Sequence, residues 1–211
     1  MSLYFDIETA PLPGAELAAI MPPFDPAEVK VGNIKDPALV AAKIAQSKAA
    51  YESDYIENAA LDPLTGRVLC VGVMSEETPF ILYDDNEAKL LTDFWSYVMP
   101  GRRLIGFNSQ VFDLPFLIRR SWKHSIAIPA GVRNGRYWHD DMIDLRLIWK
   151  LGDWQAHGSL DSIAKHLGLG GKNGNGKDFA KLWETDRPKA VDYLKNDLAL
   201  VAAIAQRMGV A

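Results

Sequence analysis

Leu3-Tyr4-Phe5-Asp6-Ile7-Glu8-Thr9 is the stretch on which the fold turns. Residues 3–7 alternate in the manner of a short strand that starts almost at the N-terminus. Side chains two apart on a strand leave the same face, so Asp6 and Glu8 project together. Two readings follow. On an edge strand they are two solvated acids, the simpler account of an Asp-x-Glu pair taken alone. On a central strand, two adjacent carboxylates are costly unless a positive charge sits between them, and a divalent metal ion is one such charge.

Downstream of this strand, prolines at 11, 13, 22, 23, 26 and 37 interrupt the chain. From Pro37 to Asn58 it becomes alanine-rich and charged, with apolar residues at helical spacing. This predicts one or two helices inserted after the first strand at about residues 11–62, or alternatively a mobile arm. The run Gly66-Arg-Val-Leu-Cys-Val-Gly-Val-Met74 reads as a strand, and a turn at Ser75-Glu-Glu-Thr-Pro leads to a second strand, Phe80 to Tyr83, forming a hairpin.

Residues 86–98 bring Leu90, Leu91, Phe94, Trp95 and Val98 onto one helical face. Leu104-Ile-Gly-Phe reads as a short strand and Val111 to Trp122 as a helix. Tyr137-Trp-His reads as the last strand, followed by a helix from Ile143 to Lys150. Ser159 is placed to cap a helix ending at Gly168. Arg187 or Pro188 opens a final helix running to about Met208. Paired strands followed by strand–helix alternation predict an α/β fold, a mixed β-sheet of about five strands with helices on both faces. No internal repeat or second core is evident, so residues 1–211 are read as one domain carrying an insertion.

Two further groups bear on chemistry. Tyr193 and Asp197 are four apart in a strong helical pattern and share a face. Val191, Leu194, Leu198, Val201 and Ile204 supply the apolar side of that helix. Asp113 lies near the start of a helix that directly follows a strand, where an acid interacting with the helix dipole is a sufficient explanation. Singly, each group has a structural reading. Together they lie on segments that an α/β sheet can bring to its strand ends, where such sheets present ligands.

In this order the residues resemble the DEDD superfamily of exonucleases, and the resemblance spans nearly the whole chain. The first motif of that family, Asp-x-Glu-Thr on the opening strand, is similar to Phe5-Asp6-Ile7-Glu8-Thr9. The second, Asn-x-x-x-Phe-Asp, resembles Asn108-Ser-Gln-Val-Phe112-Asp113-Leu-Pro-Phe116-Leu117. The third, Tyr-x-x-x-Asp of the tyrosine subclass, resembles Tyr193-Leu-Lys-Asn196-Asp197. The histidine subclass would place a histidine where this chain has Asp192. His139-Asp-Asp-Met-Ile-Asp144-Leu and Ser159-Leu-Asp-Ser-Ile-Ala-Lys-His-Leu-Gly168-Leu look like segments of exonuclease domains related to family B DNA polymerases.

The resemblance implies a ribonuclease H-like fold and a metal-dependent 3′-5′ exonuclease that releases nucleoside 5′-monophosphates. Its catalytic set would be Asp6, Glu8, Asp113, Tyr193 and Asp197. Hard carboxylate ligands suit two Mg²⁺ or Mn²⁺ ions, with Asp6 bridging both, Glu8 and Asp197 on the first, and Asp113 reaching the second through water. Tyr193 would orient the attacking water. Thr9, Asn108 and Phe112 would meet the terminal nucleotide of a nucleic acid, a single-stranded 3′ end. The insertion after Thr9 departs from the family pattern. A non-catalytic nucleic-acid-binding module of the same fold is the alternative, although such a module is expected to lose a carboxylate, and none is lost here.

Bulk composition bounds these readings. A formal charge of −4 weighs against coating a duplex with lysines, but not against a site whose metal ions reverse the local sign. The longest apolar runs are too short for a bilayer. No basic segment followed by an apolar core opens the chain, so neither a leader nor a membrane contact is expected, and a cytoplasmic protein is. Cys70, the single cysteine, reads as a buried small hydrophobe.

Gly171-Lys-Asn-Gly-Asn-Gly176-Lys177-Asp178 mimics a nucleotide-phosphate loop. It ends in Asp and follows a helix, so no nucleotide triphosphate is expected. It reads as a flexible loop, or as one whose Lys172 and Lys177 touch substrate phosphates. Arg119, Arg120, Lys123 and His124 read as a solvated helix end or as backbone contacts. His139 has no second soft ligand at metal-binding spacing.

Overall fold

The structure, a computed structural model, describes residues 2–75, 78–130, 132, 140–153 and 155–210. The strands are β1 (Ser2–Pro11), β2 (Gly66–Ser75), β3 (Thr78–Leu82), β4 (Arg103–Gly106) and β5 (Met142–Asp144). The α-helices are α1 (Gly14–Ile20), α2 (Pro37–Asn58), α3 (Glu87–Ser96), α4 (Asp113–Lys123), α5 (Leu145–Lys150), α6 (Leu160–His166), α7 (Phe179–Thr185) and α8 (Arg187–Arg207).

The strands form one sheet in the order β3-β2-β1-β4-β5. β2 and β3 are antiparallel, whereas β4 runs parallel to β1 and to β5. The sheet is therefore mixed, and β1 occupies its centre rather than an edge. Period-two alternation along β1 sorts the molecule into two cores. Leu3, Phe5 and Ile7 join Leu90, Leu91 and Phe94 of α3 and Leu114, Phe116 and Leu117 of α4. Tyr4 faces the other way, into a core built with Ile163 of α6 and Leu198, Val201 and Ile204 of α8. Asp6 and Glu8 continue the series of Tyr4, which places them on the side of α8.

Close approach of α8 to the sheet depends on Gly72. A Cβ added there would lie 2.9 Å from Leu194 Cγ and 2.9 Å from Leu198 Cδ1. Gly72→Val is expected to cost about 1–3 kcal/mol by overpacking, read as a lower urea midpoint at unchanged slope. A wild-type midpoint would contradict this packing.

The chain divides into two compact units, Met1–Thr9 with Val68–Ala211, and Ala10–Arg67. In the second, Asp36 caps α2, accepting from the Ala38 N–H, with Pro37 in the first turn, so Pro37–Asn58 is one helix. Leu12, Leu17 and Ala59, with Tyr55 against them, form a small core of their own. The Tyr51 hydroxyl donates to Pro22 O, and the Phe24 ring lies 5.8 Å from that of Tyr51. The proline-rich segment thus packs on α2.

Two expectations need correction. Ile143 pairs with Ile105 in the sheet and does not open a helix. The helix begins at Leu145, because Asp144 is extended and its carboxylate caps the Arg146 and Leu147 N–H groups. The strand expected at Tyr137-Trp-His lies outside the described residues, as does His139. Arg120 is not part of a solvated helix end. It is buried, and its guanidinium donates to both oxygens of Glu87, at 2.9 Å and 2.5 Å, while His124 Nε2 lies 2.9 Å from Glu87 Oε2. Arg119 and Lys123 are exposed. Cys70 is buried.

Candidate active site

Three carboxylates meet where β1 passes α8: ligand oxygens of Asp6, Glu8 and Asp197 all lie within 4.8 Å of one another. Strand alternation supplies the first two. The helical register of α8, fixed by Leu194, Leu198 and Val201 in the core, supplies the third. Asp113 arrives from the first turn of α4. Pairing of β1 with β4 runs from Ser2↔Arg103 to Tyr4↔Ile105, so the Ile7 N–H lies beyond that register. Asp113 Oδ1 accepts it at 3.0 Å. This bond between strand and helix end ties Asp113 to the residue separating Asp6 from Glu8.

The electrostatics match a crowded, poorly hydrated set of acids. Burial, then the nearby Asp113 and Glu8 carboxylates, pushes Asp6 well above the ordinary carboxylate range. Burial and the charge of Asp197 do the same to Glu8. Burial raises Asp113 to about 7 despite the Ile7 N–H that it accepts. Asp197 is raised as well, by burial, with Lys172 pulling the other way. Like charges held this close without a counter-ion favour protonation or a bound cation.

Lys172 was legible only as one of two lysines in a glycine-rich loop. The structure places its Nζ 2.5 Å from Asp197 Oδ2 and 5.0 Å from the centre of the Tyr193 ring. Burial lowers its affinity for a proton, but Asp197 more than restores it, so it stays charged. The loop is pinned rather than free. The Lys172 N–H donates to Asp161 Oδ1 at 2.9 Å, and Asn196 Nδ2 to Gly171 O at 3.4 Å. Gly174 lies flat on Tyr193, where an added Cβ would meet ring carbon Cδ2 at 2.8 Å. No sequence rule singles out Lys172 over Lys177, because the choice depends on how the loop closes over α8.

Tyr193 lies one turn before Asp197, and its buried hydroxyl is within hydrogen-bonding reach of the Lys172 and Asp197 side chains. Burial pushes the phenol above its ordinary value, with Lys172 opposing. The Oδ1 atom of Asp197 is likewise buried. Acids crowded this closely beside a buried hydroxyl are suited to holding a cation. The donor set is oxygen throughout, which fits Mg²⁺ or Mn²⁺.

The expected substrate contacts are placed unevenly. Asn108 stands on the loop between β4 and α4. Phe112, expected to stack on a base, packs on Phe116 with ring centres 5.6 Å apart and leans on the core. Thr9 is half-buried. Asp144, read in the sequence only as part of a landmark segment, and Arg146, which sequence reasoning passed over, hold the Asn108 loop in place. The hint available was an aspartate two residues before Arg146, the position of a helix cap.

No helix among the described residues is long and apolar enough to cross a membrane. The chain is similar to the family B DNA polymerase of the hyperthermophilic archaeon Pyrobaculum calidifontis, at 17% identity and a TM-score of 0.62, over 98% of this chain and 24% of the polymerase. That likeness concerns the fold, and the mixed five-stranded sheet is ribonuclease H-like, as expected. An uncharacterized protein of Methanocaldococcus jannaschii is 29% identical over 157 residues, 68% of this chain and 86% of that protein. A family model described as a predicted 3′-5′ exonuclease related to the exonuclease domain of PolB matches residues 78–200, more than half of the chain. This protein therefore belongs to the family of predicted 3′-5′ exonucleases related to the exonuclease domain of PolB.

Proposed function

We propose that the protein is a metal-dependent 3′-5′ exonuclease of the tyrosine subclass, working as one exonuclease domain with a helical insertion at about residues 11–62. It would remove nucleoside 5′-monophosphates from a single-stranded 3′ end. The observation that carries this reading is the convergence of Asp6, Glu8 and Asp197 within 4.8 Å, with Asp113 bonded to the strand between the first two. Asp6, Glu8 and Asp197 would hold one divalent ion, and Asp6 with Asp113 a second. When bound, such a pair supplies positive charge to the attacking and leaving oxygens of an in-line displacement at phosphorus.

The protein's own groups do the rest. Asp113 and Asp197 are buried and Asp6 and Glu8 half-buried, so water competes only partly with a cation for their oxygens. Tyr193 offers a buried hydroxyl that orients the attacking water by a hydrogen bond. Its raised pKa keeps the proton on the phenol, so the group acts as a donor rather than a base. Lys172 neutralises part of the acid charge beside Asp197.

The test is digestion of matched DNA and RNA oligonucleotides, labelled at the 5′ end, with and without Mg²⁺ or Mn²⁺. A ladder of shortening labelled products, together with released 5′-monophosphates, is expected only with the ion. Intact oligonucleotides of both kinds would sink the proposal. Tyr193→Phe is expected to lower kcat about a hundredfold and leave KM within about threefold, since it removes the positioning hydroxyl and keeps the ring. An unchanged kcat would remove Tyr193 from the mechanism.

A further inference from the structure

Asn108 has φ +62°, the left-handed region that asparagine tolerates better than most residues but still at some cost. One buried carboxylate holds it there. Asp144 accepts from the Asn108 N–H at 2.9 Å through Oδ1 and from the Gln110 N–H at 3.0 Å through Oδ2. It also caps α5 by accepting the Arg146 N–H at 2.9 Å. Gln110 Nε2 donates to Met142 O at 2.5 Å. The loop that leads into Asp113 is thus latched, backbone and side chain, to the β5–α5 junction.

The side chain of Asn108 is set separately. Arg146 Nη1 donates to Asn108 Oδ1 at 2.8 Å. A guanidinium only donates, so the amide can turn only its oxygen to Arg146. The Nδ2 group then faces away, and among the described residues it has no partner. Arg146 gains little for itself from this placement: its Nε is buried and unpartnered, which makes arginine a costly choice for stability alone.

We infer that Arg146 is a positioning residue that fixes Asn108 as a hydrogen-bond donor toward the 3′-terminal nucleotide. This rests on the exonuclease reading. The site therefore selects an acceptor on the ligand, such as a base carbonyl or ring nitrogen, or a sugar or phosphate oxygen. A ligand group that can only donate would find no counterpart there.

The experiment is a double-mutant cycle on binding of a fluorescent oligonucleotide with an unpaired 3′ end. It is run in Ca²⁺, and wild-type cleavage in Mn²⁺ is measured alongside. Asn108→Ala and Arg146→Met are each expected to weaken binding about tenfold, and the double variant no more than Asn108→Ala alone. Arg146→Lys, which retains a donor, should return to within about threefold of wild type.

Asn108→Asp keeps its contact with Arg146 as an ion pair but offers acceptors only. It should lose binding as Asn108→Ala does, and it tests the inference even if Arg146→Met folds poorly. Full binding by Asn108→Asp, or an equal loss on adding Arg146→Met to Asn108→Ala, would overturn the inference while leaving a cleaving wild-type enzyme intact. A wild-type protein that binds no oligonucleotide would overturn the exonuclease reading and this inference with it.

Discussion

Asp6→Ala is expected to lower kcat/KM for oligonucleotide digestion by about a thousandfold or more, and at the same time to make the metal-free protein more stable. Asp6 stands on the central strand of the sheet and feels the charges of Asp113, Glu8 and Asp197 together. It is the one acid that the proposal assigns to both ions. Losing it therefore removes a shared ligand rather than one of several equivalent ones. In the absence of metal the same residue is a liability, a half-buried carboxylate among like charges, with Lys172 opposing them. Removing it should raise the melting temperature by a few degrees, about 0.5–2 kcal/mol, as when a strained functional group is removed.

The combination is diagnostic. A structural acid would lose stability when truncated and change activity only as a consequence. Asp6→Asn, which preserves shape, should behave like Asp6→Ala in activity. Digestion at the wild-type rate by either variant would dismiss the site, and a large fall in metal-free stability would recast Asp6 as part of the fold.

Where periodicity reaches a residue, the sequence was informative. The alternation of Leu3, Phe5 and Ile7 against Tyr4, Asp6 and Glu8 is visible in the text of the chain, and it is what puts both acids on the side of α8. Tyr193 and Asp197 were readable for the same reason, from the 3.6-residue spacing of Leu194, Leu198 and Val201 around them. The position of β1 at the centre of the sheet was not readable, since it depends on β2 and β4 pairing on either side. It decides between two solvated acids on an edge and two acids crowded against Asp197.

Contacts across long separations stayed hidden. Asp144 sits in Met-Ile-Asp-Leu-Arg-Leu-Ile-Trp-Lys, whose spacing suits a helix from Ile143. Its partners at Asn108 and Gln110 are 36 and 34 residues away, and no local pattern announces them. Arg120 looked like a surface charge because it sits among other cations. Glu87, 33 residues earlier, draws it inside, and a buried arginine with a well-formed carboxylate partner is the exception that composition cannot flag. Lys172 and Lys177 look alike in a loop whose path is set by Asp161, Asn196 and the flat contact of Gly174 on Tyr193.

The second large effect expected is an inversion of pH dependence by metal. Asp6, Glu8 and Asp197 all hold their protons more tightly folded than in an unfolded chain, and Asp113 does so to about 7. An acid whose folded pKa lies above its unfolded value binds more protons when folded. Its contribution to stability is full below the unfolded pKa, near 4, and is lost as the pH rises through the folded one. Without metal, the melting temperature should therefore fall between about pH 5 and about pH 8.

A divalent ion competes with those protons for the same oxygens. Its stabilisation should be small at the acid end and large at the alkaline end. At a hundredfold excess over Kd it supplies about 2.7 kcal/mol, roughly 5–10 °C for a chain of this size. With millimolar Mn²⁺ the profile should then be flat or rising where that of the metal-free protein falls. Asp6→Asn separates the cluster from every other titrating group, because it should both flatten the metal-free profile and shrink the Mn²⁺ effect. A metal-free melting temperature that does not change over this range, or an Mn²⁺ shift as large at the acid end as at the alkaline end, would mean that these carboxylates are not held as a deprotonation-dependent metal site.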